Sequence, residues 1–204
     1  PEDGRRIEDF EWSADGKQLL FPIAGSLLVY RIGAKPDEAV KQLTHAEDGF
    51  ATDAKFSPGG RYVSFIRDAN LHAIELSSGR EIAITQGGGG PVSYGVAEFI
   101  AQEEMSRNTG NWWSPDERYI AFTRVDESAV AEIERFEVYA DSLKVVKQRY
   151  PATGARNADV QLYVVEGGGH VWPGARDLSG FGYTTHSISA TELSWLFFAA
   201  HSKH

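Results

Sequence analysis

The 204-residue chain contains no cysteine, and this absence excludes disulfide frameworks, thiol catalysis and cysteine metal sites. No apolar run approaches the length of a membrane-spanning helix. The chain begins at Pro1 with neither a starting methionine nor a signal peptide, which indicates a processed N-terminus or a fragment.

Positive charge is also scarce, with 20 Lys and Arg against 29 Asp and Glu and a formal net charge of −9. This balance argues against nucleic acid or an anionic membrane surface as a partner. It suits a cationic ligand, although solubility alone would account for it. The six histidines lack the spacing of metal ligands, and Gly87–Gly90 lacks the Lys-Ser/Thr of a phosphate loop. No metal site and no cofactor are predicted.

What the chain does contain is one unit repeated three times, at residues 12–21, 56–65 and 113–122. Each copy is an aromatic residue, a polar turn and a strand that ends in Phe. The first two copies begin 44 residues apart, a period typical of four-stranded propeller blades. Second strands follow at Ser26–Tyr30 and Leu71–Leu76, and Ala24-Gly25 and Asp68-Ala69-Asn70 are the predicted hairpin connections. We predict a mainly β chain that forms a partial β-propeller of about three blades. The alternative is an ordinary antiparallel meander.

Three blades do not close a ring, because propellers typically have four or more. The open ends of a partial propeller are expected to pair with another chain or domain. The sequence therefore predicts either self-association or a missing domain that covers these ends.

The third copy begins 57 residues after the second, and the extra length contains a predicted short helix. Helical spacing places Val96, Phe99, Ile100, Glu103 and Glu104 on one stripe. The first part of this stripe is apolar and the last part is two carboxylates, which repel each other and lose hydration if packed. A protonated amine between them would relieve both costs. The alternative is that the pair is the solvated end of a surface helix.

Residues 1 to about 160 resemble the N-terminal propeller of the dipeptidyl peptidase IV family of serine peptidases. The resemblance is carried by residues 95–125 (GVAEFIAQEEMSRNTGNWWSPDERYIAFTRV) and by residues 148–157 (QRYPATGARN). It implies that Glu103 and Glu104 bind the free α-amino group of a peptide substrate. Cleavage would then release an N-terminal dipeptide, usually after proline or alanine. It also implies a periplasmic or secreted location.

After Val165 the chain changes character. The stretch at 166–174 (EGGGHVWPG) resembles the last segment of secreted α/β-hydrolase esterases of the polyhydroxybutyrate depolymerase and feruloyl esterase type. The resemblance implies that His170 is the base of a catalytic triad. The capping box Ser189-Ala190-Thr191-Glu192 predicts a closing helix. We therefore divide the chain into a partial propeller, 1–160, and a strand-loop-helix segment of α/β-hydrolase type, 161–204.

The chain contains no Gly-x-Ser-x-Gly elbow, so we predict that it does not hydrolyse esters or peptides alone. Three hypotheses stay open. The chain is part of a dipeptidyl-peptidase-like enzyme that binds a peptide with a free N-terminus, a non-catalytic β-propeller binding module, or an esterase-type remnant that uses His170. The junction near residues 158–166 is either a natural fusion or an artefact of assembly.

Overall fold

The computed structural model describes residues 9–166, with side chains through Val164. The first repeat folds into a four-stranded antiparallel sheet whose strands pair in chain order. Its elements are β1 Glu11–Trp12, β2 Gln18–Ile23, β3 Ser26–Arg31, the short helix α1 Pro36–Ala39, and β4 Val40–Gln42. The sheet is a simple meander, as expected for a propeller blade.

The second repeat forms a second four-stranded meander, entered through a 3-10 turn at Ala46–Asp48. Its strands are β5 Thr52–Phe56, β6 Tyr62–Arg67, β7 Asn70–Glu75 and β8 Glu81–Ala83. The pairing of β5 with β6 shifts register between Thr52 and Lys55, and Asp53 within this bulge has a left-handed φ of 47°.

The third sheet differs in its first strand. Its elements are β9 Val92–Tyr94, the helix α2 Phe99–Met105, β10 Asn111–Trp113 and β11 Tyr119–Asp126. Both β9 and β10 pair with β11, and β14 (Asp159–Glu166) occupies the other edge of β11 along its whole length. The two short strands therefore share one position in the sheet, and α2 lies in the loop between them.

A two-stranded ribbon leaves this sheet between β11 and β14. It consists of β12 (Glu132–Val138) and β13 (Leu143–Arg149), which pair antiparallel in a sheet of their own. The charged stretch 132–139 predicts a strand or edge segment with solvated charges, and β12 confirms it, because every side chain of this strand except Glu137 is exposed. The strand β14 runs across the boundary that the sequence placed at residue 160.

The turns follow from the local sequence. Ala24-Gly25 joins β2 to β3 with φ values of 49° and 84°, and Asp68-Ala69 joins β6 to β7 with values of 48° and 60°. Positive φ at both central residues is the type I′ geometry that matches strand twist. The predicted connection 68–70 is one residue too long, because Asn70 already pairs with Arg67 as the first residue of β7.

The core lies between the sheets. One cluster joins the first and second sheets and includes Leu20, Leu27, Val63 and Phe65. A second cluster joins the second and third sheets and includes Ile66, Leu71, Ile120 and Phe122. Each of these side chains is almost fully buried. The repeated Phe that ends each unit is therefore a core residue, and burial of these faces holds the sheets together. The predicted mainly β fold is confirmed.

The aromatic residues that begin the second and third copies pack on the preceding sheet, whereas Trp12 of the first copy is exposed. Trp113 stacks on Tyr62 at 5.3 Å between ring centroids and donates its indole N–H to Ser64 Oγ at 3.0 Å. Among residues 9–166, no helix is long and apolar enough to cross a membrane.

Candidate functional site

The helix that carries the predicted glutamate pair is shorter than the sequence stripe suggests. It begins at Phe99, and Val96 lies before it in an isolated bridge with Thr109. The stripe prediction was therefore wrong at its first position. The cause is Glu98, whose carboxylate accepts hydrogen bonds from the backbone N–H of Ile100 at 2.5 Å and of Ala101 at 2.9 Å.

Glu98 is thus the N-cap of α2, a role that sequence reasoning missed. Glutamate is not among the favoured N-cap residues, which are Ser, Thr, Asp and Asn. A carboxylate immediately before the first helical turn was the available signal. The face that α2 buries is small: Ala101 is fully buried, whereas Phe99 and Ile100 are half-buried.

Two glycines form the neck of the loop that carries α2. The Gly95 N–H donates to the Thr123 carbonyl at 2.7 Å, the Gly110 N–H donates to the Gly95 carbonyl at 3.0 Å, and the Thr123 N–H donates to the Gly110 carbonyl at 2.8 Å. A Cβ on Gly110 would overlap the Val96 carbonyl and the Thr123 hydroxyl. The loop therefore closes tightly on the middle of β11.

Glu103 and Glu104 lie in the last turn of α2, and both are exposed. Within the described part of the chain, neither carboxylate makes an ion pair or a side-chain hydrogen bond. The last turn contains no basic residue. Because the C-terminal end of a helix carries partial negative charge, two carboxylates there add to an unfavourable field. The two carboxylates can therefore accept hydrogen bonds from a cation.

The residue that follows the ribbon packs against the start of α2. The rings of Phe99 and Tyr150 meet edge to face at 5.1 Å between centroids. Burial raises the pKa of the nearby Glu127 carboxyl, with Arg149 opposing that rise and the Glu98 charge adding to it. Arg149 also donates to the Val130 carbonyl at 2.7 Å. The Phe99–Tyr150 contact holds the first turn of α2, whereas Glu103 and Glu104 lie in its last turn.

The pKa of Asp126, the residue before Glu127, is shifted in the opposite direction. Hydrogen bonds from Ser128, and then from Arg124, lower the pKa of Asp126 to about 2. The Arg124 guanidinium lies 2.9 Å from the Asp126 carboxylate. Ion pairing and turn formation account for Asp126, so its shifted pKa has a structural cause.

His170 and the predicted closing helix from Ser189 lie outside the described residues. The structure therefore says nothing about the segment that resembles an esterase, beyond the backbone of β14 up to Glu166. Among residues 9–166, no group of three or more His, Asp or Glu could hold a metal ion.

Comparison with known proteins agrees with the sequence resemblance. The family model described as "Dipeptidyl peptidase IV (DPP IV) N-terminal region" matches residues 13–172. The chain belongs to this family. Among curated relatives, a probable dipeptidyl-aminopeptidase B of Aspergillus fumigatus is 37% identical over 139 residues, which are 59% of this chain and 15% of that protein. One from Aspergillus niger is 36% identical over 177 residues, or 79% of this chain and 18% of that protein.

A solved structure gives the same result. The crystal structure of Porphyromonas gingivalis dipeptidyl peptidase 4 matches with a TM-score of 0.68 and 27% identity, covering 79% of this chain and 24% of that one. The three packed sheets are accordingly blades of a partial β-propeller of the DPP IV N-terminal type. The chain spans between 15% and 24% of the length of these three relatives.

Proposed function

We propose that this chain supplies the substrate-binding propeller part of a dipeptidyl-peptidase-like serine peptidase, and that Glu103 and Glu104 bind the α-amino group of the peptide. The proposed reaction of the whole enzyme is release of X-Pro or X-Ala dipeptides from peptide N-termini. The names of the relatives, which are dipeptidyl peptidases, support this reaction class.

The observation that carries the proposal is the unpartnered state of the two carboxylates. Surface glutamates are normally solvated singly, but here two adjacent ones close a helix with no basic residue in its last turn. A protonated amine has three donors and one positive charge, which matches two carboxylates. A bound amine would also fix the register of the peptide, so that cleavage occurs at a set distance from its N-terminus.

The chain has no Gly-x-Ser-x-Gly sequence, so we assign neither a catalytic serine nor its acid partner to it. The proposal therefore places the chemistry in a domain that this sequence does not contain. We expect the 204-residue chain alone to give no turnover of a dipeptide anilide or a short acyl ester. Turnover that is lost in His170→Ala would contradict this expectation and favour the esterase-type alternative.

The α/β-hydrolase-like segment stays a proposal for the residues after Glu166. The strand β14 pairs with β11 through residues 159–166, and the family match extends to residue 172. Both observations favour a propeller role for the start of the segment proposed at 161–204. His170 as a triad base rests on the esterase resemblance alone.

The test is binding of a short peptide such as Ala-Pro-Ala, labelled at its C-terminus, to the intact chain. Glu103→Gln and Glu104→Gln keep the shape of each side chain and remove its charge. Each should weaken binding about tenfold, because hydrogen bonds to charged groups are typically worth about 1.5–3 kcal/mol. Glu38→Gln, an exposed acid in α1, is the matched control and should leave affinity unchanged.

The proposal fails if the control and the two site variants bind equally well. It also fails if acetylation of the peptide N-terminus has no effect on affinity, because acetylation removes the charge that the glutamates are proposed to bind. An amine preference that survives loss of both carboxylates would place the amine site elsewhere.

A further inference from the structure

A polar cluster ties the glutamate loop to the second blade. Its centre is the Asp53 carboxylate, in the bulge of β5. One oxygen, Oδ2, accepts hydrogen bonds from Thr109 Oγ1 at 2.7 Å, from Asn111 Nδ2 at 3.0 Å and from Lys55 Nζ at 3.2 Å. Two of these donors belong to the third blade, at the point where the loop rejoins the sheet.

Asn111 carries this contact inward to the neck of the loop. Its side chain is fully buried, and its Nδ2 also donates to the Gly95 carbonyl at 3.0 Å. Gly95 is the first residue of the neck described above. One amide thus joins the Asp53 carboxylate to the entry of the loop, and the Thr109 hydroxyl joins it to the exit.

Lys55 holds the same junction from its other side. Its ammonium group contacts the Thr109 hydroxyl and lies 3.3 Å from the Asn111 carbonyl oxygen. The junction thus places the Asp53 carboxylate and the Lys55 ammonium around neutral groups of the loop, and the half-buried Glu11 carboxylate interacts with both charges. Hydrogen bonds that involve an ionised partner are stronger than neutral ones. We therefore expect this junction to hold the loop more tightly than hydrogen bonds between neutral groups would.

The backbone of Asp53 is shaped for this role. Its φ of 47° is left-handed, a conformation that a residue other than glycine adopts at a cost of about 1–3 kcal/mol. The bulge between Thr52 and Lys55 interrupts regular pairing at the same place. Bulges re-aim side chains beside functional sites, and this one aims Asp53 at the base of the loop.

We propose that Asp53 is a positioning residue for the amine site: by accepting from Thr109 and Asn111 it fixes the loop at 95–110 on the second blade, and so holds Glu103 and Glu104 where they meet the peptide amine. This inference rests on the function proposed above. Asp53 itself does not touch the peptide.

The test uses the intact chain and the labelled Ala-Pro-Ala peptide in free and N-acetylated forms. The readout is the ratio of the two dissociation constants, which measures amine recognition and not general peptide affinity. Asp53→Asn preserves the left-handed backbone, because Asn tolerates this conformation as well as Asp does. We expect the ratio to fall about tenfold in this variant.

A second variant keeps the test decisive if Asp53→Asn folds poorly. Thr109→Val removes the hydroxyl and keeps the shape of the side chain, whereas Thr109→Ser keeps the hydroxyl. The ratio should fall in Thr109→Val and stay near the wild-type value in Thr109→Ser. Amide hydrogen exchange should speed up across residues 96–109 in Thr109→Val while the amides that pair β11 with β14 are unchanged.

The outcomes separate the two proposals. A wild-type chain with no preference for the free amine overturns the proposed function and this inference together. A wild-type preference that persists within about twofold in Asp53→Asn and Thr109→Val overturns the positioning role of Asp53 alone. Equal losses in Thr109→Val and Thr109→Ser would also contradict it, since the hydroxyl would then be irrelevant.

Discussion

The second and third blades begin from the same repeat, but the third carries the β12–β13 ribbon before its last strand and differs from the second in its first strand. In the second blade the first strand, β5, is a single segment with a bulge, whereas in the third blade β9 and β10 share that position and a loop with a helix lies between them. The repeated aromatic, turn and Phe are present in both. The scaffold is therefore conserved within the chain, and the interruption is where the candidate site lies.

The acidic residues of the two blades differ as well. In the second blade Glu81 pairs with Arg67, and Glu75 accepts from Ser78 Oγ at 2.7 Å. In the third blade Glu103 and Glu104 have no such partner among the described residues. Paired acids stabilise their own blade, whereas the two exposed carboxylates of α2 can accept hydrogen bonds from a ligand.

The largest effect is expected at the neck that makes the interruption possible. Gly110→Ala places a methyl group against the Val96 carbonyl and the Thr123 hydroxyl, and the Val96 backbone cannot move aside as a flexible side chain could. We expect a loss of about 3 kcal/mol in the free energy of unfolding, measured by urea denaturation. Gly16→Ala in the first blade is the control, since its Cβ would meet nothing within 4 Å.

The control has a cost of its own. Gly16 has a φ of 68°, so alanine there should cost about 1 kcal/mol from backbone strain alone. If Gly110→Ala cost no more than Gly16→Ala, the neck would be looser than the structure indicates.

The next effect concerns the turns of the repeat. In copies one and three an aspartate accepts from the serine of its own turn: Ser13 Oγ donates to Asp15 at 2.7 Å, and Ser114 Oγ donates to Asp116 at 2.6 Å. Copy two has Gly59 at this position, and Glu117 from the third blade supplies the carboxylate instead. Glu117 contacts the Ser57 hydroxyl and accepts from the Gly59 N–H at 2.7 Å.

Glu117→Ala should therefore destabilise the chain by about 2 kcal/mol, because it leaves a charge-assisted contact between blades unmade. Gly59→Asp alone should also destabilise, since its Cβ would lie 2.8 Å from the Glu117 carboxylate. The two changes together restore the self-contained turn of the other copies, so the double variant should be more stable than Glu117→Ala. Strict additivity in this double-mutant cycle would disprove the exchange of carboxylates.

A smaller effect of opposite sign is expected at the candidate site. Glu103→Gln or Glu104→Gln removes repulsion at the negative end of α2, so each should raise the free energy of unfolding by about 0.5 kcal/mol. The same substitutions are expected to weaken amine binding. Urea denaturation of both variants beside Glu38→Gln checks this, and a loss of stability in the site variants would show that the pair serves the fold.

The smallest effect should appear as a pH dependence at the end of β11. The folded-state pKa of Asp126 is about 2, below its ordinary value of 3.8, so its ionised form stabilises the fold above pH 4 and that contribution is lost as the pH falls towards 2. Asp126→Asn should be less stable than wild type at pH 7, and the difference should shrink as the pH falls and vanish only below pH 2.

Glu127→Gln is the matched comparison, because burial raises the pKa of Glu127. Its ionised form opposes folding at neutral pH, so Glu127→Gln should be more stable than wild type at pH 7 and equal to it below pH 4. Urea midpoints of the three proteins across this range test both signs. The same sign of effect in both variants would contradict the assignment.

Local patterns predicted the repeated part of the fold well. The Ala24-Gly25 turn, the second strands and the exposed ribbon strand all follow from turn chemistry and alternation, which are properties of neighbouring residues. The mainly β propeller type followed from the period of the repeat. The division of the third blade did not, because nothing local shows that β9 and β10 pair with one strand.

The candidate site was predicted in part. The sequence placed Glu103 and Glu104 on a short helix, and the structure has them on α2, exposed. It started that helix at Val96, three residues early, because Glu98 is an unusual cap. Asp53 was missed altogether: it precedes Thr109 by 56 residues, and only the packing of two blades brings them together.

Binding of a peptide amine by the glutamate pair is best tested by comparing one peptide in two forms. The dissociation constants of Ala-Pro-Ala with a free and with an acetylated N-terminus should be measured on the wild-type chain at the same pH and salt. We predict that the free peptide binds at least about tenfold more tightly, and that this difference is lost in the double variant Glu103→Gln/Glu104→Gln. Equal affinity of the two forms would contradict it.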